Sequence, residues 1–472
     1  MLFNSWAYAL FLPVVVAAYY CLNHRAQNYF LLAASYFFYG CWDYRFSLLM
    51  AFSTVVDYVV AREMARSEDQ RRRKRYLLVS LVTNLGILAC FKYFNFFVDS
   101  LAQLCAALGI PAHLPTLRIV LPVGISFYTF QALAYTIDVY RRDHPPAQSF
   151  LDFALYVCYF PHLVAGPIQR YMLLEQIQKE RRTGWQQIWS GCALILIGLV
   201  RKVAIADSLA AEVDRAFTQP QELASLELLL GLYLFSLQIY CDFAGYTDIA
   251  RGSSRLLGIE LMVNFQHPYF STSITEFWRR WHLSLSTWLR DYLYISLGGS
   301  RHGRLKTYRN LMLTMLLGGL WHGANWTFVV WGGLHGLYLA GHKLLLGDRP
   351  ALVENRSRTW RQWPADLVKM VLTFHLVALT WIFFRSDGFA SAWHYLTGIL
   401  ACRGGWPRDG VLSLATSLLL LLIIDVPQYR RNDHTAVMHW PWALRGAVYA
   451  SLVWAIFAMR SDSSVPFIYF QF

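Results

Sequence analysis

The run "NLMLTMLLGGLWHGANWTFVVWGGLHGLYLAGH", Asn310 to His342, contains no Lys, Arg, Asp or Glu. A helical membrane crossing takes about 20 mostly apolar residues. This run divides at "GGLWHGANW" (Gly318–Trp326) into segments 310–323 and 324–341, each shorter than that. Short apolar segments read as re-entrant or half-buried helices. His322 lies roughly a dozen residues into the run, and at about 1.5 Å per residue a helix carries it well below the surface. The fold and the function both turn on why an imidazole sits there.

The rest of the chain fits a membrane environment. Of 472 residues, 56% are hydrophobic and only 15% charged, with a mean hydropathy of +0.34. Soluble domains carry about 25% charged residues. The many Trp and Tyr suit the interface, where one end of a ring is apolar and the other wet. The formal charge of +13 does not point to nucleic acid. Basic residues crowd into short loops such as "RRRKR" (71–75), the pattern of positive-inside topology and of contact with anionic lipids. No basic surface long enough to track a phosphate backbone is visible. The eight cysteines are scattered through apolar runs without C-x-x-C spacing, so neither a disulfide framework nor a metal site is expected.

The first segment, "MLFNSWAYALFLPVVVAAYYCL", has no positive stretch before it and reads as a retained span. Further spans are expected near 28–41, 45–61, 76–98, 119–139, 150–168, 187–205, 225–245, 366–384, 410–426 and 443–459. Together these predict an all-α polytopic membrane protein, a single domain over 1–472, with roughly eleven crossings and a few re-entrant or interfacial helices. The basic clusters at 62–75, 181–184 and 301–309 place those loops on the cytoplasmic side. No paired interrupted helices suggest the inverted repeat of a secondary transporter.

In "HPYFSTSITEFWRRWHLSLSTWLRDYLYISLGGS" (267–300), Ser273 and Glu276 form a capping box that should start a helix. Phe277, Trp281, Leu285, Trp288 and Tyr292 then recur at helical spacing, and Gly298–Gly299 end it. With Arg279, Arg280 and Arg290 on other faces, this is an interfacial amphipathic helix. His282 should share a surface with Trp278, four residues earlier.

Ionisable groups at the depth of His322 usually face a cavity and act there. Gly318, Gly319 and Gly323 permit close backbone approach, Trp321 and Trp326 offer flat walls, and Asn325 brings a donor and an acceptor. A neutral imidazole with an ordinary pKa near 6.5 can take a proton from a hydroxyl at neutral pH, which suits acyl transfer from a thioester. The alternative is a buried histidine bonded to a carbonyl beside a glycine packing site, and His335 in "WGGLHGLYLAG" reads that way. Asp57, Asp138, Asp242 and Asp248 lie in or beside apolar runs, where pairing with Arg141, Arg251 or Arg255 is expected. His162 in "FPHLVAGP" sits between prolines at a helix break and reads as architectural.

Four segments resemble the membrane-bound O-acyltransferase family, in its alginate O-acetyltransferase-like bacterial branch. They are "FPHLVAGPIQR" (160–170), "YCDFAGYTDIARG" (240–252), "NFQHPYFSTSITEFWRRWHLSLSTWLRDYLYISLGG" (264–299) and "GGLWHGANWTFVVWGGLHG" (318–336). The family's histidine in its W-H-G motif matches His322, and a second histidine, in F-W-x-R-W-H, matches His282. The resemblance implies a ring of helices around a central tunnel, in a bacterial inner membrane. It also implies an acyl thioester such as acetyl-CoA as donor, no bound cofactor, and periplasmic SGNH-hydrolase-like partners that complete transfer to a polysaccharide. On this reading His322 is a general base or acyl-accepting residue. His282 orients it or the thioester, while Asn325, Trp321 and Trp278 contact substrate. Alginate leads as the acceptor, with D-alanyl transfer and cellulose or peptidoglycan acylation as alternatives. A transporter or flippase, or a scaffold of a polysaccharide-secretion complex, are the rival functions.

Overall fold

A computed structural model describes residues 1–110, 115–117, 120–347, 363–407, 410–460 and 466–470, and all regular structure among them is helical. The chain divides into two compact units. One comprises residues 1–191 with 253–262, the other residues 192–252 with 263–472.

The first unit begins with helix Trp6–Tyr20 and a long segment, His24–Arg66, that bends at Asp43 (φ −157°, ψ 114°). Asp43 Oδ1 accepts from the Arg45 N–H at 2.9 Å, so the second half restarts on its own cap. Helix Gln70–Leu88 runs on through a π turn, Ala89–Tyr93, into Phe94–Ala107. Arg73, in the basic cluster read as a lipid-facing loop, is instead buried and donates to Met64 O (3.0 Å) and Tyr140 O (2.6 Å). It ties together backbone carbonyls that would otherwise end unsatisfied. Asp57 is fully buried, and its carboxylate accepts from Ser80 Oγ (2.6 Å) and Asn84 Nδ2 (2.9 Å), neutral donors rather than the arginine expected. The break at His162 is present: helix Phe150–Cys158 stops, and Phe160–Leu163 is a single turn.

In the second unit, the last turns of helix Trp185–Leu199 cross helix Ser225–Leu256 backbone to backbone. A Cβ on Gly198 would lie 2.6 Å from Gly245 O, and one on Gly245 the same distance from Gly198 O. The chain then forms a helical hairpin, a first arm Arg304–His322 and a second arm Trp326–Leu346. Glycines close it. A Cβ on Gly319 would lie 2.2 Å from Phe328 O, and one on Gly332 2.2 Å from Met315 O. Helices Trp363–Arg385, Phe389–Leu400, Val411–Arg431 and Trp442–Ala458 complete the unit, with a short turn at Ile468–Phe470.

Six helices among the described residues are long and apolar enough to cross a membrane: His24–Arg66, Gln70–Ala107, Trp185–Thr218, Ser225–Leu256, Pro364–Arg385 and Val411–Arg431. The remaining expected spans are helical but short, interrupted or, in Trp326–Leu346, not apolar enough. Trp6–Tyr20 and Trp442–Ala458 are shorter apolar helices. The span expected at 150–168 breaks at Tyr159. The hairpin's first arm is charged up to Arg309, and its apolar part from Asn310 to His322 rises only about 18 Å of a hydrocarbon core near 30 Å.

The hairpin contact gives a sharp contrast within one helix. Gly332→Ala should destabilise the protein by about 1–3 kcal/mol, since the new methyl must displace backbone. Gly341→Ala, where a Cβ meets nothing within 4 Å, should be neutral or stabilise by up to about 1 kcal/mol. Thermal unfolding of the two variants in detergent distinguishes these outcomes.

Candidate active site

His322 is the last residue of the hairpin's first arm, so its ring stands at the tip, 3% exposed. Gly323 continues in extended conformation, and Asn325 caps the second arm. With the arms held close by Gly319 and Gly332, the second arm lays Trp331 edge-on against the imidazole (ring centroids 5.0 Å, 86°). Trp321 (5.1 Å), Phe384 from helix Trp363–Arg385 (5.4 Å) and Tyr469 (5.6 Å) complete an aromatic cage, and His282 lies at 6.3 Å. The two histidines matched by motif are thus brought together, from segments separated by forty positions of chain.

They meet because the amphipathic helix expected over 273–297 is broken. The Ser273 cap forms, with Oγ accepting from Glu276 N at 3.2 Å. The first piece ends at Trp278, a second runs Leu283–Trp288, and a π turn follows over Leu289–Tyr294. Between them His282 takes φ +45°, ψ 54°, a left-handed conformation that costs a non-glycine residue about 1–2 kcal/mol. Bonds to residue 264 hold it there. The Leu283 N–H donates to Asn264 O (2.9 Å), and the Ser284 N–H and Oγ donate to Asn264 Oδ1 (3.2 and 2.9 Å). Since Asn264 Oδ1 accepts from a backbone N–H, it can only accept from His282 Nδ1 as well (3.1 Å). That fixes the proton on Nδ1 and leaves the lone pair on Nε2, the arrangement a base needs. The expected apolar stripe survives as a burial pattern: Phe277, Trp281, Leu285, Trp288 and Tyr292 are all buried.

The break also separates His282 from Trp278. Trp278 Nε1 donates to His335 Nδ1 (3.2 Å), and His335 Nε2 meets Thr380 Oγ1 (3.0 Å). Thr380 gives its own proton to Val377 O (2.7 Å), so His335 donates to it and both ring nitrogens are engaged. His335 is therefore a packing histidine, fully buried. Asn325, expected beside the reacting atoms, serves the turn instead. Its Oδ1 caps Thr327 N (3.0 Å) and its Nδ2 donates to Asp387 O (2.9 Å). Trp326 is half exposed. One buried donor was not foreseen: Trp331 Nε1–H has no hydrogen-bond partner among the described residues.

Below the hairpin tip lies a cavity of about 660 Å³, lined by Leu311, Thr314 and Met315 of the first arm and by Leu339 and Lys343 of the second. Trp278 and Leu289 form its inner wall, and Arg279 and Arg290 stand at an exposed edge, Arg290 paired with Asp291 at 2.7 Å. On the tip side, a small polar recess is lined by Asp207, Asp214, Gln238, Asp242 and Arg385, with Arg385 paired to Asp214 (2.6 Å). Arg385 directly follows Phe384, the ring against His322.

The recess adjoins a buried charge network. Where helices cross at Gly198 and Gly245, a π turn over Val200–Asp207 turns Arg201 and Lys202 inward. Lys202 pairs with Asp207 (2.7 Å) and Asp242 (2.6 Å); Arg201 pairs with Asp248 and with Asp425 (2.5 Å). Arg251, the partner expected for Asp248, is a more distant one at 3.4 Å. Asp242 Oδ2 also accepts from the Ile468 N–H (2.7 Å), which fixes the final turn of the chain and so places Tyr469 in the cage. Sequence reading missed Tyr469 because the motifs that matched end well before it.

Comparison with known proteins says which family these helical spans and this pair of histidines belong to. The signature of the membrane-bound O-acyltransferase family matches residues 144–384, about half of the chain. A protein of Pseudomonas aeruginosa named "Probable alginate O-acetylase" is 45% identical over 395 residues, 83% of this chain and 74% of that protein. One of the same name from Azotobacter vinelandii is 38% identical over the whole of both chains. The "Peptidoglycan O-acetyltransferase" of Helicobacter pylori is 34% identical, covering 86% of this chain and 80% of its own. The chain belongs to the membrane-bound O-acyltransferase family. It is a multi-pass membrane protein and an O-acyltransferase.

Removing one member of the charge network leaves others buried without a counter-charge. Arg201→Ala should destabilise the protein by about 3–5 kcal/mol. The check is the yield of monodisperse protein and its thermal midpoint in detergent; an unchanged midpoint would show that water or a rearranged partner replaces the guanidinium.

Proposed function

We propose that the protein transfers an acetyl group from a cytoplasmic thioester to a hydroxyl acceptor, with His322 as general base, in the service of alginate-type exopolysaccharide O-acetylation. The observation that carries this reading is the position of two adjoining imidazoles, with an amphipathic cavity below them and a polar, carboxylate-lined recess on the tip side. The cavity's edge, with Arg279, Arg290 and Lys343, suits the phosphates of a CoA-type donor, and its interior suits the uncharged arm that carries the thioester. That edge is the proposed place of donor entry.

In the proposed reaction the acceptor oxygen attacks the thioester carbonyl carbon while the His322 imidazole takes the hydroxyl proton. The negative charge formed on the carbonyl oxygen is met by the Trp331 Nε1–H, a buried donor in the wall of the cage. The carbon–sulfur bond then breaks, the thiolate takes up the proton, and an ester and a free thiol leave. His282, its tautomer set by Asn264, positions the reacting groups. An acyl-imidazole on His322 is the variant of the same chemistry in which nitrogen attacks first. The basic clusters support a donor side that faces the cytoplasm across an inner membrane, in contact with anionic lipids. The names of the relatives favour alginate as the eventual acceptor over peptidoglycan, and a periplasmic SGNH-hydrolase-like partner is the proposed recipient of the acetyl group.

Release of free thiol from acetyl-CoA by the purified protein should be abolished in His322→Ala and reduced by about 10²–10⁴-fold in His282→Ala. His335→Gln should retain activity in whatever fraction remains folded. Polymer acetylation persisting in cells that carry only His322→Ala would sink the enzymatic reading of this histidine and favour a carrier or scaffold.

A further inference from the structure

The face of the first hairpin arm that lines the cavity leads directly to the imidazole. Leu311, Thr314 or Met315, Gly318 and His322 are spaced by three or four residues and form one stripe along the helix. Leu311, Thr314 and Met315 all line the cavity. At Gly318 the stripe has no side chain, and the space is taken by Leu289, whose Cδ1 lies 3.0 Å from the point where a Cβ would stand. Apart from the adjoining residues and the backbone of its own helix, no other described atom lies within 4 Å of that point. Leu289 is 5% exposed and itself lines the cavity, at the start of the π turn that ends the broken helix. It therefore borders the cavity beside the position one helical turn before His322, about 5–6 Å along the axis. Around His322 stand the packed rings of Trp321, Trp331 and Phe384.

We propose that Leu289, lying over Gly318, is the residue that restricts the donor to short acyl groups, by limiting the room between the cavity and His322. The proposal rests on the reading of the cavity as the donor site. A thioester whose carbonyl reaches the imidazole must place its acyl group in the last turn, between Leu289 and the aromatic cage. A two-carbon group makes the smallest demand on that room. Each further methylene must displace either Leu289 or a ring held by several others, and in apolar pockets a single methylene is worth about 10–200-fold in discrimination.

The two sides of the contact give variants with opposite effects. Leu289→Ala removes the obstruction. Gly318→Ala adds a methyl that meets the end of Leu289 and pushes it toward the cavity. The measurement is kcat/KM for acetyl-CoA and for butyryl-CoA, with the full-length protein in detergent. Leu289→Ala should raise the butyryl-to-acetyl ratio at least 10-fold, and Gly318→Ala should lower it. General damage to the fold reduces both substrates together and leaves the ratio alone. Should Leu289→Ala fail to fold, Leu289→Val and Gly318→Ala carry the test, the ratio rising in the first and falling in the second. A wild type that turns over acetyl-CoA, with a ratio unmoved by these substitutions, overturns the role of Leu289. A wild type that turns over neither thioester instead removes the donor-site reading, and this inference with it.

Discussion

The contact between the glycine backbones of the hairpin governs the geometry of this site. Gly319 and Gly332 bring the two arms closer than any side chain permits, the space for a Cβ on each being taken by a backbone carbonyl of the other arm, Phe328 O or Met315 O. Two consequences follow at the tip. His322 ends one arm with its ring edge-on to Trp331 of the other, and the turn between them is short enough for a single asparagine to cap it. In lipid no hydrophobic force drives helices together, so close packing of small residues and satisfied backbone groups must do so. The glycines supply the first and Asn325 the second.

A second device holds the other imidazole. A continuous helix over 273–297 would have placed His282 beside Trp278. The backbone instead breaks, because Asn264 offers its carbonyl and its side-chain oxygen to residues 282–284. The strained residue at the break is itself the histidine. Non-glycine residues in left-handed conformations persist only where surrounding contacts over-determine them, and they cluster at functional sites. Here the same asparagine that stabilises the break also sets the tautomer of the ring, so backbone strain and proton placement share one cause.

The buried charges serve placement in another sense. Arg201 and Lys202 face four carboxylates, Asp207, Asp242, Asp248 and Asp425, drawn from three helical segments. Such pairs add little net stability once desolvation is counted, but they permit few alternative arrangements. Through Asp242 the network fixes the Ile468 turn and with it the Tyr469 wall of the cage. Residues far from the matched motifs thereby become part of the site.

Amino-acid order alone determined the membrane class, the helices of most expected spans, the Ser273 cap and the buried stripe from Phe277 to Tyr292, and it singled out the two histidines that meet. These are local or compositional properties: hydropathy, helical spacing and the cost of an ionisable group in lipid act within a few residues. Tertiary structure alone decided that the Ser273 helix breaks at His282, that Asn325 caps rather than faces the ring, that Arg201 and not Arg251 is the main partner of Asp248, and that Tyr469 joins the cage. Each of these depends on a partner far along the chain, which helical periodicity cannot see. The division follows the range of the forces: burial preference is written residue by residue, whereas a hydrogen-bond partner is chosen only when the chain has folded and brought one within about 3 Å.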